Sequence, residues 1–395
     1  MGRPRLTKLY LRDYRSYSEL LFEPASGVNF LLGPNAAGKT NLLEAINYLS
    51  TLRSPRTSRD GDLVRWGSGS FYIKGQLETG GPGSARTLEV GYRSGRGRAL
   101  RIDGVPVRRT REFLGSINTV FFSPDDLRLI KGGPEERRSF LDAEIGQVDG
   151  RYRSALDTYS RVLTQRNDVL KQMRGRRTSL ASADLLLEPW DRQLVEAGSR
   201  IVAGRLQHLN PWLAFAAETY DELAGGSEEL SGEYLSGFMP PYPLGSSPGR
   251  SDSVDREGIA DAYAKAVAES RDEEMHRGYT LVGPHRDDCR FTISGHEART
   301  YGSQGQQRSV ALAIKIAEVR WMRDVTRREP ILLLDDVISE LDGDRARRLA
   351  ALLDGGSQTM ITSTDLDPAI AAHPSPTRWR VSGGEVIRDG TLAPG

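Results

Sequence analysis

The chain is short of several things, and each shortage excludes something. It has one cysteine, Cys289, in 395 residues. No disulfide framework or cysteine-built metal site can form within a single chain. The five histidines are scattered and show no HExxH spacing, so a dedicated zinc site is not expected. No apolar run reaches the length of about 18 residues that a membrane-spanning helix needs. The opening stretch MGRPRLTKLYLRDYRSY lacks the uninterrupted apolar core of a signal peptide. The simplest expectation is a soluble, cytoplasmic protein with no membrane partner. Excess charge is missing too: 54 basic against 53 acidic residues leave +1. That balance excludes a protein held on nucleic acid by its net field alone, though not local basic patches. Lysine is scarce, with 7 Lys among the 54 basic residues and the other 47 Arg. Arginine suits bidentate phosphate recognition better than lysine, although genomic codon bias is the simpler account of the total.

Length allows two or three domains at roughly 150 residues each. Leu9 and Leu11 alternate with Lys8, Tyr10 and Arg12, the pattern of a half-buried strand. Val28 to Leu32 is a short, mostly apolar run ending at Gly33, and Leu42, Leu43, Ile46 and Leu49 then recur with helical spacing. Residues 71–121 read as further strands. Beyond Pro134 the pattern turns helical. Tyr152, Leu156, Tyr159, Leu163, Leu170 and Met173 mark one face, and Trp190, Leu194, Ala197 and Ile201 another. The spacing predicts a helical hairpin whose first arm, of about 22 residues, is about 33 Å long. Residues 243–258, rich in Pro, Gly, Ser and Asp, read as a loop. After residue 278 the strand–helix pattern returns. The expected architecture is an α/β head, residues 1–134 and 276–395, interrupted by a mostly helical insert, residues 135–275.

Gly33, Pro34, Asn35, Ala36, Ala37, Gly38, Lys39 and Thr40 match GxxxxGK[ST], between a predicted strand and a predicted helix. Glycines let such a loop fold tightly and aim its N–H groups at phosphate, and the helix N-terminus adds favourable partial charge. Lys39 is expected on the β- and γ-phosphates and Thr40 on Mg²⁺, so ATP and Mg²⁺ are the expected cofactors. A second carboxylate for the metal is supplied where the buried run Ile331 to Leu334 meets Asp335 and Asp336. Asp335 is expected in the Mg²⁺ sphere, and Asp336, with Lys39, in catalysis, polarising the attacking water. The wide separation of the two motifs suits a domain cut by an insert, not a compact GTPase.

Ser303, Gly305 and Gln306 lie in YGSQGQQR, just before a predicted helix over 309–323. Alone this reads as a helix cap. Beside a P-loop and an aspartate pair it resembles the signature of ABC-type ATPases, and Ser339 to Asp342 resembles their D-loop. GPNAAGKTNLLEAINYLSTLRSPRT, FFSPDDLRLIKGGPEERRSFLD, TLVGPHRDD and YGSQGQQRSVALAIKIAE, in that order, are similar to segments of the RecF family. Those are bacterial recombination mediators with SMC-like heads. The resemblance implies an ATP-driven homodimer in which Ser303, Gly305 and Gln306 of one chain face the γ-phosphate on the other chain's P-loop. It also implies binding to duplex DNA beside single-stranded gaps, without sequence preference, and work with RecR and RecO in loading recombinase. Transporter-type ATPases carry Glu where this chain has Asp336, one methylene shorter, which suits a slow switch. A Q-loop glutamine is not evident; Ser123 to Asp126 stands in its place. The switch histidine falls near Thr364.

Eight arginines between Arg86 and Arg111, including Arg93, Arg96, Arg98 and Arg101, face only Glu89 and Asp103. Such a patch gives salt-sensitive, sequence-independent phosphate binding; an ordinary solvated face is the plain alternative. Tyr14-Arg15 resembles the start of a segment of the same family, which implies a place near adenine for Arg12 or Arg15; a solvated strand-edge arginine is the equal alternative. His285 in GPHRDD has no nucleophile to serve and reads as structural, and Cys289 reads as a small core residue. Three rivals remain: a soluble ATPase subunit of an ABC transporter, a chromosome-structural SMC-type protein, and a P-loop nucleotide kinase. The insert is too large for the first, the hairpin far too short for the second, and a kinase has no use for a trans signature.

Overall fold

The computed structural model describes residues 4–78, 85–174, 180–245, 254–337, 349, 356–364 and 376–389. They form two compact units, residues 1–126 with 318–395, and residues 127–317.

The first unit carries β1 (Arg5–Tyr14), β2 (Tyr17–Phe22), β3 (Val28–Leu32), α1 (Lys39–Thr51), β4 (Ser70–Glu78), β5 (Ala85–Arg93), β6 (Gly97–Ile102), β7 (Val105–Val107), α2 (Thr110–Phe113) and β8 (Thr119–Phe122). An antiparallel sheet runs in the order β2-β1-β4-β5-β6-β7. The alternation in β1 and β4 buries Leu9, Leu11, Phe71, Ile73 and Leu77 on one face and leaves Tyr10, Arg12, Tyr72 and Lys74 on the other. Those buried side chains meet Leu42, Leu43, Ile46 and Leu49 of α1 in one core. Truncating such a leucine costs about 2–5 kcal/mol.

The other sheet of this unit adds β13 (Ile331–Asp335), β14 (Thr359–Ser363), β15 (Thr377–Ser382) and β16 (Glu385–Arg388), in the order β16-β15-β3-β14-β13-β8. All neighbours from β15 to β8 are parallel. Helix α1 touches both sheets, so even its polar residues are buried and each needs a partner. Asn47 accepts from Thr119 at 2.9 Å, Ser50 donates to the Ile117 carbonyl at 3.0 Å, and Glu44 is held by Arg15.

The second unit contains α3 (Arg128–Lys131), α4 (Pro134–Val148), α5 (Gly150–Met173), α6 (Leu180–Ala224), β9 (Leu230–Ser236), β10 (Met239–Leu244), α7 (Arg256–Glu269), α8 (Arg271–Arg277), β11 (Asp288–Ile293), β12 (His296–Glu297), α9 (Ala298–Tyr301) and the start of α10 (Gln304–Thr326). Helices α5 and α6 form the expected hairpin, the first arm about 36 Å long at the ordinary helical rise. Two expectations change. Residues 230–244 are strands, and β9 pairs antiparallel with β11 from Leu230 opposite Ile293 to Leu235 opposite Asp288. That shared sheet, β10-β9-β11-β12, is why residues 276–317 group with the insert and not with the head. The division therefore falls at 126/127 and 317/318, not at 134/135 and 275/276. Residues 243–258 are also not one loop: they include the end of β10 and the start of α7, while 246–253 lie outside the described residues.

Buried ions tie the second unit together. Arg166, fully buried, donates to Asp191 at 2.7 Å, Thr280 at 2.7 Å and Glu274 at 2.6 Å. Arg205 binds Asp142 and the Pro284 carbonyl at 2.9 Å each. Removing one partner from such a pair strands a charge and costs about 3–5 kcal/mol.

Candidate active site

The phosphate loop is the turn between β3 and α1. Ala36 and Gly38 have φ of 61° and 105°, left-handed conformations that turn successive N–H groups inward. At Gly38 a Cβ would also sit 2.9 Å from the hydroxyls of Ser16 and Tyr17. Tyr17 in turn donates to the Gly38 carbonyl at 2.9 Å. At Gly33 a Cβ would sit 2.2 Å from the Val381 carbonyl of β15. Both positions require glycine, for conformation and contact in the first case and for contact with backbone in the second.

Lys39 closes the loop on itself. Its ammonium donates to the Gly33 carbonyl at 2.6 Å and the Pro34 carbonyl at 3.0 Å. Burial lowers its pKa, and the charges of Asp336 and Asp335 act to raise it. Thr40 donates its hydroxyl to Asp335 Oδ1 at 2.9 Å. The aspartate stands at the C-terminal end of β13, but β13 is not the neighbour of β3. Strand β14 lies between them and contributes Thr362, whose hydroxyl donates to the same Asp335 oxygen at 2.8 Å and accepts from the Asp336 N–H at 2.9 Å. Burial raises the Asp335 pKa, and the two threonine hydroxyls lower it. Asp336 has φ of 53°, an uncommon conformation that Asp tolerates better than most residues.

Thr362 carries no motif of its own; the sequence points instead to Thr364, two positions on, just past the end of the same strand. Ser123 to Asp126, in the place of the Q-loop, form a short turn at the end of β8 in which the Ser123 N–H donates to Asp126 at 2.8 Å. The D-loop candidate, Ser339 to Asp342, lies outside the described residues.

In the second unit, Ser303 and Gln306 cap α10 reciprocally. The Ser303 N–H donates to Gln306 Oε1 at 2.7 Å and the Gln306 N–H donates to Ser303 Oγ at 3.2 Å. Gln306 also donates to Glu228 at 2.6 Å. Ser303 and Gly305 are exposed. GPHRDD belongs to a buried polar network: His285 Nδ1 lies 2.7 Å from the Tyr159 hydroxyl, and Arg137 grips Asp288 with two bonds of 2.7 and 2.8 Å. Cys289 is buried, which pushes its thiol up to about 12.

Arg15 is partly buried and already partnered. It binds Glu44 of α1 through two bonds of 2.8 and 2.7 Å. Arg12 lies over the Tyr72 ring, 5.7 Å from its centroid. The four arginines expected on DNA differ among themselves. Arg93 and Arg96 are exposed at the turn between β5 and β6, without an ion pair among the described residues. Arg101 is exposed on β6, opposite Glu89. Arg98 is committed internally, to Asp60 at 3.0 Å and the Leu52 carbonyl at 2.7 Å.

A parallel sheet with a glycine-built phosphate loop after one strand and a threonine-held aspartate after another, together with an antiparallel sheet packed on the loop's helix, defines a P-loop ATPase head of the ABC/SMC class. The family model of the RecF/RecN/SMC N terminal domain matches residues 5–372. DNA replication and repair protein RecF of Bacillus subtilis is 39% identical over 365 residues, 92% of this chain and 94% of that protein. The same protein of Halothermothrix orenii is 38% identical over 360 residues, 91% and 92% of the two chains. A solved structure of the recombination mediator protein RecF-ATP of the RecFOR pathway is 31% identical with a TM-score of 0.84, covering 98% of this chain and 99% of its own. An Smc head domain of Pyrococcus furiosus, 16% identical with a TM-score of 0.51 over 98% of this chain and 96% of its own, shares the fold alone. The chain belongs to the RecF family: it is an ATP-binding ATPase of DNA replication and repair, a recombination mediator. The transporter and nucleotide-kinase readings fall with that membership.

Proposed function

We propose that ATP closes two copies of this chain into a dimer on DNA, and that slow hydrolysis opens it. The observation that carries this reading is the Ser303–Gln306 cap, exposed at the start of α10. Each chain supplies one phosphate loop and one such cap. Two complete sites therefore arise in a two-fold dimer that places each cap against the other chain's loop.

The donor set beside the loop suits a magnesium nucleotide. Thr40 Oγ1 and Asp335 Oδ1 are the hard oxygen ligands Mg²⁺ takes, and Thr362 holds the carboxylate in place as an outer-shell partner. The metal supplies charge neutralisation at the phosphate oxygens. Lys39 exchanges its two carbonyl acceptors for phosphate oxygens and so brings a positive charge to the bond that breaks. Asp336 orients the attacking water and takes its proton. Its side chain is one methylene shorter than glutamate, which fits a switch that turns over slowly.

The proposed partner is DNA, duplex beside a single-stranded gap, read through phosphates and shape without sequence preference; the exposure of Arg93, Arg96 and Arg101 supports their meeting it. RecR and RecO are the proposed protein partners, a reading supported by the RecFOR pathway named for the similar RecF-ATP structure. The deciding experiment is size analysis with ATP and DNA for the natural chain and Ser303→Arg. The natural chain is expected to dimerise with ATP, and Ser303→Arg to bind ATP as a monomer. An ATP-dependent dimer of Ser303→Arg overturns the trans arrangement.

A further inference from the structure

Trp66 is 96% exposed, more than any other large apolar side chain among the described residues. It is not on a loose loop. The Arg65 N–H donates to the Asp13 carbonyl at 2.8 Å, the Ser68 N–H to the Arg65 carbonyl at 2.9 Å, and the Ser68 hydroxyl to the Asp13 carboxylate at 2.9 Å. Residues 65–68 thus form a tight turn, with Trp66 second and Gly67, at φ of 85°, third, the position that needs a left-handed residue. Adjacent hydrogen bonds tie the Leu63 carbonyl to the Arg15 N–H at 2.8 Å and pair Val64 with Tyr14. A rigid turn therefore holds an indole in water, where it contributes nothing to the core.

The surroundings indicate what it meets. The next residue, Gly69, accepts from the Ser94 N–H at 3.0 Å, and Ser70 pairs with Arg93. The turn is thereby fastened beside the 93–97 turn, whose Arg93 and Arg96 are exposed without ion pairs among the described residues. Ser94, Gly95 and Gly97 complete that turn, leaving backbone that a phosphate chain can approach closely. A flat aromatic on a rigid support next to unpaired arginines is the arrangement that binds unpaired nucleotides: the ring stacks on a base and the guanidiniums hold phosphates. A paired base inside a duplex offers no free face to a side chain coming from outside the stack.

We propose that Trp66 is a stacking platform for an unpaired base, where a single-stranded gap meets duplex, with Arg93 and Arg96 holding the adjoining phosphates. This rests on the DNA-binding reading above and names the part of the substrate that one edge of the head recognises. The test measures affinity, with ATP present, for a blunt duplex and for the same duplex interrupted by a single-stranded gap, using the natural chain, Trp66→Ala and Trp66→Phe. Trp66→Ala is expected to bind the gapped DNA roughly 5- to 150-fold more weakly, the range for losing one stacked base. It should bind blunt duplex as the natural chain does, and Trp66→Phe should recover most of the loss. Because the ring is in solvent, thermal melting of both variants should match the natural chain. Equal binding of gapped DNA by Trp66→Ala overturns the proposal and leaves a protein partner as the reason for the exposed ring. Equal loss on both DNAs overturns it in favour of a general backbone contact. Failure of the natural chain to bind either DNA overturns the DNA-binding reading itself, and the platform with it.

Discussion

Thr40 and Asp335, 295 positions apart, are joined by a 2.9 Å hydrogen bond, and Thr362 donates to the same carboxylate oxygen at 2.8 Å. Three segments of the chain converge on one atom. Thr40 opens α1, Asp335 ends β13, and Thr362 comes from the strand between β3 and β13. Burial pushes the Asp335 pKa up, and the two hydroxyls oppose that shift. The carboxylate proposed to meet Mg²⁺ therefore depends on its neighbours for its charge as well as its direction.

Thr362→Val separates those effects from the metal ligand itself. Valine keeps the shape and removes the donor. ATP binding should persist, and the Mg²⁺ concentration needed for half-maximal hydrolysis should rise about 10- to 100-fold, the usual cost of an outer-shell partner. Magnesium titration of the ATPase rate measures this. An unchanged midpoint would remove Thr362 from the metal's support.

Asp336→Asn preserves the left-handed backbone, which Asn tolerates as Asp does, and removes the proposed base. ATP binding and ATP-dependent dimerisation should remain, while hydrolysis falls about 10²- to 10⁴-fold, the contribution of a positioned base. Single-turnover hydrolysis measures the chemical step. Natural turnover in this variant would shift the water-orienting role to another group.

The parts of the site that are legible in the sequence are those written in contiguous residues. The strand, glycine spacing and helix of the phosphate loop are one run, as are the buried strand ending in Asp335 and the Ser303–Gln306 cap. What is not legible is set by pairing across long separations. Nothing local states that β14 lies between β3 and β13, so nothing local favours Thr362 over Thr364. Strand β10 carries Pro240, Pro241 and Pro243, and only its end, from residue 243, falls in the stretch that reads as loop; proline cannot serve a central strand. It is tolerated here because β10 is the edge of its sheet. The pairing of β9 with β11, which moves residues 276–317 out of the head, follows from that same hidden sheet. Arg15–Glu44 and Arg137–Asp288 likewise leave no periodicity to find.

The arginines between Arg93 and Arg101 divide by what their guanidiniums already hold. Arg98 is bound to Asp60 and the Leu52 carbonyl, so Arg98→Ala should lower stability, by about 1 kcal/mol given its partial exposure, and leave DNA affinity nearly unchanged. Arg96→Ala and Arg101→Ala should do the reverse, weakening DNA binding and reducing the salt slope by about 0.9 for each phosphate that is no longer neutralised. Thermal melting alongside DNA titration at several salt concentrations tests all three variants together. A loss of DNA affinity in Arg98→Ala at unaltered stability would show that Arg98 leaves its internal partners to bind phosphate.

His285 makes the stability of the protein depend on pH with a definite sign. Burial, the largest cause, lowers its pKa to about 4; the Thr280 carbonyl opposes the shift, and the charges of Arg286, Arg138 and Arg166 add to it. The folded chain thus keeps a neutral imidazole, 2.7 Å from the Tyr159 hydroxyl, down to about pH 4, whereas the unfolded chain takes up a proton below about pH 6.5. The contribution is fully present above pH 6.5, declines as pH falls toward 4, and is flat below that. Its limit is about 3 kcal/mol, from the difference between the two pKa values. Asp287, whose pKa burial raises, works in the opposite direction as pH falls through that raised value toward the ordinary carboxylate range, so the total curve does not isolate the histidine, but a variant does. His285→Gln should be less stable than the natural chain at pH 7.5, having lost a fitted hydrogen-bond partner. The gap should narrow by about 2 kcal/mol between pH 6.5 and pH 5, because only the natural chain has an imidazole to protonate on unfolding. Urea unfolding of both chains across that range gives the gap directly; a gap independent of pH would mean that His285 titrates in the folded chain as it does in the unfolded one.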